Sequence, residues 1–288
     1  MKKNQTFEKA IHAIFFILGM ITVACVCLIT IYLLISGIPA ISKIGFKEFI
    51  FGKEWASTAS VPKYGILPFI LTSIYGTLGA LIIGVPIGFL TAVYLSKMAS
   101  PKFKEVMEFA ISLLAGIPSV VYGLVGMMVL VPAIRKIFNI SDGSSLLAAI
   151  IVLSIMILPS IIKMSVTSLN AVPKEYEDAS LALGATPIET YFKVSARAAK
   201  SGIVASIVLG IGRAIGEAMA VMMVAGNAAN MPDSIFQSVR FLTTAVSSEM
   251  SYSSGLQREA LFSIALILFF FIMFINAALN FFLKRDKR

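Results

Sequence analysis

Long stretches without charged residues are the feature that most constrains this chain. Five windows of 20 to 33 residues contain no Asp, Glu, Lys or Arg: 10–42, 64–96, 109–134, 143–162 and 260–283. A sixth window, residues 201–232, is interrupted by two charged residues, Arg213 and Glu217. Because roughly 20 apolar residues in a helix cross the hydrocarbon core of a bilayer, each window is long enough to span a membrane.

The spans are expected to be helices, because a chain in lipid must satisfy its own backbone hydrogen bonds and no barrel-like alternation is present. Charged residues make up 14% of the chain, against about 25% in an ordinary soluble domain. We therefore predict an all-α membrane protein with one transmembrane domain over residues 1–288. Its six spans are expected at about 11–36, 66–96, 107–134, 144–165, 201–226 and 260–283.

The basic residues are distributed unevenly between the predicted loops. If the N-terminus is cytoplasmic, the inside segments hold 15 Lys and Arg residues and the outside segments hold 8. This bias follows the positive-inside rule. It predicts a multi-pass protein of the cell membrane with both termini in the cytoplasm, and it explains the net charge of +9 without a nucleic-acid partner.

Residue patterns of catalysis and metal binding are absent from the sequence. Cys25 and Cys27 lie two residues apart inside the first predicted span, where neither a disulfide nor a metal site is expected. No nucleophile–base pair or metal-ligand cluster occurs in a loop. No Gly-x-x-x-x-Gly-Lys-[Ser/Thr] motif occurs either, so this chain is not expected to bind ATP through a P-loop. We predict a protein that is not an enzyme and that holds no cofactor or metal.

The longest predicted inside segment, residues 163–200, contains clear helix boundaries. Pro173 suits the first turn of a helix and Gly184 suits the position just past its end. Thr186-Pro187-Ile188-Glu189 then predicts a new helix start, with Thr186 as the cap and Glu189 as its capping-box partner. Two short helices joined at a glycine turn are therefore expected on the cytoplasmic face.

Arg213 and Glu217 form the second unusual feature. Spaced four apart on a continuous helix, they would lie on one face within pairing distance. Arg213 is roughly 20 Å along a helix from Lys200, which is near the middle of the membrane. A charge there is costly unless it meets a partner or water. Two interpretations stay open: a salt bridge that locks helix packing, or a gate in which the guanidinium meets an oxyanion.

The inside loop resembles the "EAA" loop of ABC importer permeases. Asp178-Ala179-Ser180 followed by Gly184 matches the family's acidic residue, two small residues and glycine. The match is imperfect, since the third residue is serine and the family's downstream Ile-x-Leu-Pro appears here as Val194-Ser195-Ala196-Arg197. The resemblance implies a coupling helix that docks on a separate ATPase, with coupling residues Glu177, Asp178, Ala179 and Gly184.

Three further segments resemble the phosphate-specific permeases of this family, of the PstC type. They are residues 64–69, 116–123 and 211–227, the last containing the sequence Gly-Arg-Ala-Ile-Gly-Glu. The resemblance implies the type I ABC importer permease fold and a role for Arg213 and Glu217 in the substrate path. It also implies four kinds of partner: a second, PstA-like permease, a PstB-like ATPase dimer that binds ATP and Mg²⁺, an extracytoplasmic PstS-like phosphate-binding protein, and phosphate itself.

Two other functions remain open at this point. The same kind of importer could carry another oxyanion, such as sulfate, molybdate or phosphonate, because arginine chemistry alone does not separate them. An ion-coupled secondary transporter could use Glu217 as a proton site. Six spans without an evident inverted repeat argue against that second alternative.

Overall fold

The computed structural model describes the backbone of residues 2–285 and the side chains of Glu8 and residues 11–278. The two chain ends, which are predicted to be cytoplasmic, lie outside the described residues. The side chains of residues 279–283, at the end of the sixth predicted span, lie outside them as well.

The described chain is almost entirely helical, with one short β-hairpin near its start. The elements in chain order are α1 (Lys2–Ile44), α2 (Phe46–Phe51), β1 (Trp55–Ala56), β2 (Lys63–Tyr64), α3 (Leu67–Lys97), α4 (Pro101–Gly116), α5 (Ser119–Phe138), α6 (Leu146–Asn170), α7 (Lys174–Ala182), α8 (Pro187–Ala198), α9 (Lys200–Gly216), α10 (Met219–Val224), α11 (Leu242–Glu249) and α12 (Gly255–Arg285). β1 and β2 are antiparallel, with Trp55 opposite Tyr64. Two helices contain π-helical turns: Gly126–Leu130 in α5 and Thr190–Ser195 in α8.

Among the described residues, five helices are long and apolar enough to cross a membrane: α1 from Ile11, α3, α5, α6 and α12 as far as Ala278. α8 and α9 are bent by 74° where they meet, and they make a sixth candidate span if the pair is counted as one. With 17 residues, α9 is about 25 Å long, and α10 follows it in the chain. The predicted all-α membrane fold is confirmed, with five spanning helices among the described residues, or six when the bent pair counts as one span.

The third predicted span differs from the observed helices. Residues 107–134 were expected to form one helix, but α4 ends at Gly116 and α5 begins at Ser119. The residue before a proline is driven out of the helical region by the proline ring, and Ile117 is accordingly extended (φ −68°, ψ 128°). α5 alone, Ser119–Phe138, has the length of a span.

The core is built around α6, the most buried of the spanning helices, which packs along α3 and against α9. Glycines of α3 let the two backbones approach closely. A Cβ at Gly84 would lie 2.7 Å from Ile157, and one at Gly88 would lie 2.8 Å from Ile161. Small residues serve the same purpose in membrane helices generally. We call the end of this bundle that carries α7 and α8 the loop end, and the opposite end the far end.

Candidate functional site

The fifth predicted span, residues 201–226, is broken at Glu217. α9 ends at Gly216, Glu217 is extended (φ −73°, ψ 126°), and α10 begins at Met219. The Glu217 carboxylate accepts a hydrogen bond from the Ala220 backbone N–H at 3.0 Å. It thereby satisfies one of the free N–H groups at the start of α10. The Thr243 hydroxyl donates to the Glu217 carbonyl at 2.8 Å, so side chain and backbone of Glu217 are both fixed at the break.

This break corrects the expected pairing of Arg213 with Glu217. The two residues do not lie on one continuous helix, and the ion pairs among the described residues do not include one between them. Glu217 instead caps α10. Arg213 is partly buried in the last turn of α9, where a positive charge is favoured by the helix dipole.

The second helix break lies between α4 and α5. The charge of Arg213 acts on the Tyr122 side chain of α5. The Tyr122 hydroxyl donates to the Leu114 carbonyl at 2.7 Å and so bridges the interruption between α4 and α5. α5 also packs tightly on α10, because a Cβ at Gly123 would lie 2.8 Å from the Ala220 Cα. The helices that follow the two breaks, α5 and α10, therefore pack together at what we call the junction of the helix breaks, and Arg213 makes no ion pair among the described residues.

The loop between α6 and α9 has the geometry that its sequence predicts. Gly184 has φ +87°, and the Gly184 and Ala185 N–H groups bond to the Leu181 and Ser180 carbonyls. This is the Schellman ending of a helix. Thr186 and Glu189 form the predicted capping box. The pKa of the Glu189 carboxyl is lowered to about 2, chiefly by the hydrogen bond from Lys193, so the cap keeps its charge at any physiological pH.

Most of α7 is exposed, and its partly buried residues are Glu177 and Ser180. Asp178, Ala179 and Gly184 are exposed, and so are two apolar side chains of the same segment. Leu183 is 90% exposed and Tyr176 is 55% exposed. Contiguous exposed apolar side chains on a polar rim mark an interaction surface. We call this set, Tyr176, Asp178, Ala179, Leu183 and Gly184, the α7 outer face.

Glu177 does not belong to that face, although the sequence grouped it with the coupling residues. Its carboxylate lies 2.5 Å from the Lys97 ammonium and accepts a hydrogen bond from the Ser195 hydroxyl at 2.8 Å. Its side chain is 17% exposed. Glu177 therefore faces the spanning helices rather than the surrounding solution.

A polar cluster at the far end was not found from the sequence. The Glu249 carboxylate accepts hydrogen bonds from Trp55 Nε1 at 3.2 Å, from Gln257 Nε2 at 3.0 Å and from the Arg240 guanidinium. Arg240 also donates to the Asn227 carbonyl at 2.8 Å. Trp55, Arg240, Glu249 and Gln257 come from four separate segments. No local sequence motif predicts that they come together. We call Trp55, Arg240, Glu249 and Gln257 the far-end cluster.

Comparisons with known proteins show the family of the chain. The family described as "Binding-protein-dependent transport system inner membrane component" matches residues 84–287. The chain is 39% identical over 266 residues to the "Probable ABC transporter permease protein YqgH" of Bacillus subtilis, covering 90% of this chain and 86% of that protein. It is 35% identical to the "Phosphate transport system permease protein PstC" of Pasteurella multocida, covering 79% of this chain and 76% of the relative.

A solved structure shares the fold. The chain aligns with the inward-facing MetNI methionine ABC transporter with a TM-score of 0.58, covering 78% of this chain and 95% of that one. The sequences are 19% identical in this alignment. The likeness therefore concerns the path of the chain alone.

Proposed function

We propose that this chain, which belongs to the family of binding-protein-dependent transport system inner membrane components, is the permease subunit of an ATP-driven phosphate importer. It is a multi-pass protein of the inner membrane. The observation that carries the choice of cargo is Arg213, a partly buried guanidinium in the last turn of α9, just before the break at Glu217. Relatives named as phosphate permeases, similar over most of the chain, support the same choice.

Arg213 suits an oxyanion for two physical reasons. A guanidinium offers a planar fork of donors that matches two oxygens of phosphate. Glu217 is occupied as the cap of α10, so an internal carboxylate does not compete with the anion for Arg213 in this conformation. Glu217 acts in this proposal by shaping the break, and Arg213 by meeting the anion.

The α7 outer face is, in this proposal, the surface on which an ATPase dimer of the PstB kind acts. Its exposed Leu183 and Tyr176 supply apolar contacts, and Asp178 supplies a charge. ATP and Mg²⁺ are bound by that partner and not by this chain. A second permease of the PstA kind completes the path, and a phosphate-binding protein of the PstS kind delivers the anion at the far end. The loop end is then cytoplasmic, and so are both termini.

Uptake by the reconstituted complex tests the cargo and the energy source together. Vesicles containing the two permeases, the ATPase and the binding protein are supplied with labelled phosphate, sulfate or molybdate, with and without internal ATP. Phosphate uptake that requires ATP is the expected result. Uptake of sulfate or molybdate in preference to phosphate would show that phosphate is not the substrate. Uptake driven by a proton gradient without ATP would refute the assignment as an ATP-driven importer.

Arg213 variants test the gate within the same vesicles. Arg213→Ala removes charge-assisted hydrogen bonds of roughly 1.5–3 kcal/mol, so phosphate uptake should fall about 10-fold to 100-fold. Arg213→Lys keeps the charge but loses the planar fork of donors. Its phosphate uptake should lie between that of the unaltered complex and that of Arg213→Ala. Arg135→Ala, an exposed arginine near the end of α5, is the matched control. Equal uptake by Arg213→Ala and this control would remove Arg213 from the substrate path.

A further inference from the structure

The inner face of α7 is attached to the body of the protein by a largely buried ion pair. Lys97, the last residue of α3, lies 2.5 Å from Glu177, and the two side chains are 11% and 17% exposed. Ser195, fully buried in α8, donates to the same carboxylate at 2.8 Å. The sequence distance from Lys97 to Glu177 is 80 residues, so this contact is a property of the tertiary structure.

The burial of this pair sets it apart from the surface pairs nearby. Lys193 and Glu189, on the same loop, are 68% and 45% exposed, and exposed pairs contribute little to stability. Removing two charges from water is expensive and is offset only where the geometry is good and further hydrogen bonds satisfy the charges. The hydrogen bond from Ser195 supplies one such contact. Lys97 and Glu177 therefore form a stiff connection rather than a mobile surface contact.

This connection reaches two of the helices that form the core. Lys97 ends α3, whose glycines pack on α6. The neighbouring Ser96 hydroxyl donates to the Asn170 side chain at 2.7 Å, and Asn170 ends α6. A displacement of Glu177 is thus passed to the loop ends of α3 and α6 together.

A second, uncharged attachment runs from α7 to α8. The Ser180 and Thr190 hydroxyls lie 2.9 Å apart, and α8 leads through Ala199 into α9, the helix that carries Arg213. α7 therefore has two routes into the spanning helices, one through the ion pair to α3 and one through hydroxyl contacts to α8. Only the first route contains charged side chains. These charges can be removed or exchanged by substitution without changing the backbone.

We propose that Lys97 is a positioning residue which, through Glu177, makes α7 and the loop end of α3 move as one body. A push on the α7 outer face is then converted into movement of α3 and α6 rather than into bending of the loop. This inference rests on the proposed function in one respect, namely that an ATPase acts on α7. It assigns to Glu177 an inward mechanical role in place of contact with the ATPase.

The test measures phosphate uptake and ATP hydrolysis in the same vesicles containing the complete complex. The variants are Lys97→Met, Glu177→Gln and the exchange Lys97→Glu with Glu177→Lys, and Lys193→Gln is the control that breaks the exposed pair. The amount of ATPase bound to the permeases is measured for each. Lys97→Met and Glu177→Gln should keep the bound ATPase and its hydrolysis, while phosphate carried per ATP falls about tenfold, as coupled contacts of this kind allow. Lys193→Gln should behave as the unaltered complex.

The exchange variant should recover most of the phosphate carried per ATP, because the pair is restored with reversed charges. A spin-label distance gives a second measurement that does not depend on that recovery. Labels replace Glu175, an exposed residue of α7 that lies outside the α7 outer face, and the exposed Met98 after α3, with Cys25 and Cys27 changed to serine. The distance between the labels should stay constant when a non-hydrolysable ATP analogue is added, and should change with the analogue in Lys97→Met.

Three outcomes would overturn the inference. They are full phosphate transport per ATP by Lys97→Met, loss of the bound ATPase in that variant, or a label distance that responds to the analogue equally with and without Lys97. Failure of the proposed function is recognised separately, because the unaltered complex would then show no ATP-dependent phosphate uptake at all.

Discussion

Replacement of Glu249 by glutamine should loosen the far end of the protein. The Glu249 carboxylate joins the hairpin residue Trp55, Gln257 of α12 and Arg240 ahead of α11. The side chains of Glu249 and Arg240 are 19% and 17% exposed, and the Trp55 ring is 8% exposed. In Glu249→Gln the Arg240 guanidinium keeps its charge in a largely buried position, and the amide offers one oxygen where the carboxylate offers two.

The magnitude follows from the burial of the pair. Removing one partner of a buried ion pair costs about 3–5 kcal/mol, and partial exposure of both groups favours the lower value, about 3 kcal/mol. If that loss falls on local opening of α11, its amide hydrogens should exchange about 100-fold faster, since about 1.4 kcal/mol corresponds to a factor of ten. The double variant Arg240→Met with Glu249→Gln should exchange more slowly than Glu249→Gln alone, because no charge is left unpaired.

Trp55 makes the same change visible by fluorescence, because it is the single tryptophan of the chain. Its ring packs against Tyr64 and Phe69 with centroids 5.5 and 5.6 Å apart. In Glu249→Gln the emission of the purified chain in detergent should shift to longer wavelength, and acrylamide should quench it more strongly. Lys43→Gln, which breaks a far-end pair whose side chains are 56% and 33% exposed, is the control. Identical emission and exchange in the two variants would refute a structural role for the Glu249 carboxylate.

Two glycine substitutions test the loop and the junction of helix breaks. At Gly184 a Cβ would meet nothing within 4 Å, but φ is +87°, so Gly184→Ala should cost roughly 1–2 kcal/mol in backbone strain alone. ATPase binding should weaken by about 5-fold to 30-fold. Gly19→Ala, in α1 and equally free of neighbours, should bind normally, and equal binding by both would contradict the strain argument. At Gly123 an added Cβ would lie 2.8 Å from the Ala220 Cα, so α5 and α10 must separate. Gly123→Ala should lower the free energy of unfolding by about 1–3 kcal/mol, measured as detergent stability. Gly116→Ala has open space and serves as the comparison. Equal stability of the two would mean that α5 and α10 are not in tight contact.

The parts of this structure that sequence predicts are those fixed by nearby residues. The spans follow from charge-free windows, because the bilayer imposes a length and a polarity on each crossing. The turn at Gly184 and the capping box of Thr186 with Glu189 involve residues within a few positions of one another. The break at Pro118 also had a local signal, since a residue before proline avoids the helical region, but in a membrane helix a proline is compatible with a kink as well.

The features that sequence did not predict depend on residues far apart in the chain. The orientation of Glu177 is set by Lys97, 80 residues earlier, whereas the loop sequence alone suggested an outward-facing acidic residue. In the far-end cluster Trp55 is 194 residues from Glu249, whereas Arg240, Glu249 and Gln257 follow one another on successive segments. Each of these contacts forms only when the helices are packed together. Neither the periodicity of the sequence nor the spacing of its residues therefore predicts it.

The separation of Arg213 from Glu217 changes what the charged pair implies. The spacing of four residues predicts pairing on a regular helix, and that prediction left a packing salt bridge as one interpretation. Two hydrogen bonds hold Glu217 outside the helix. One comes from the Thr243 hydroxyl, 26 residues away, and the other comes from the Ala220 N–H in the next helix. A packing salt bridge needs a contact that the described residues do not make. The charge of Arg213 acts on the Tyr122 side chain, and in the function proposed above an anionic ligand is the group that pairs with it.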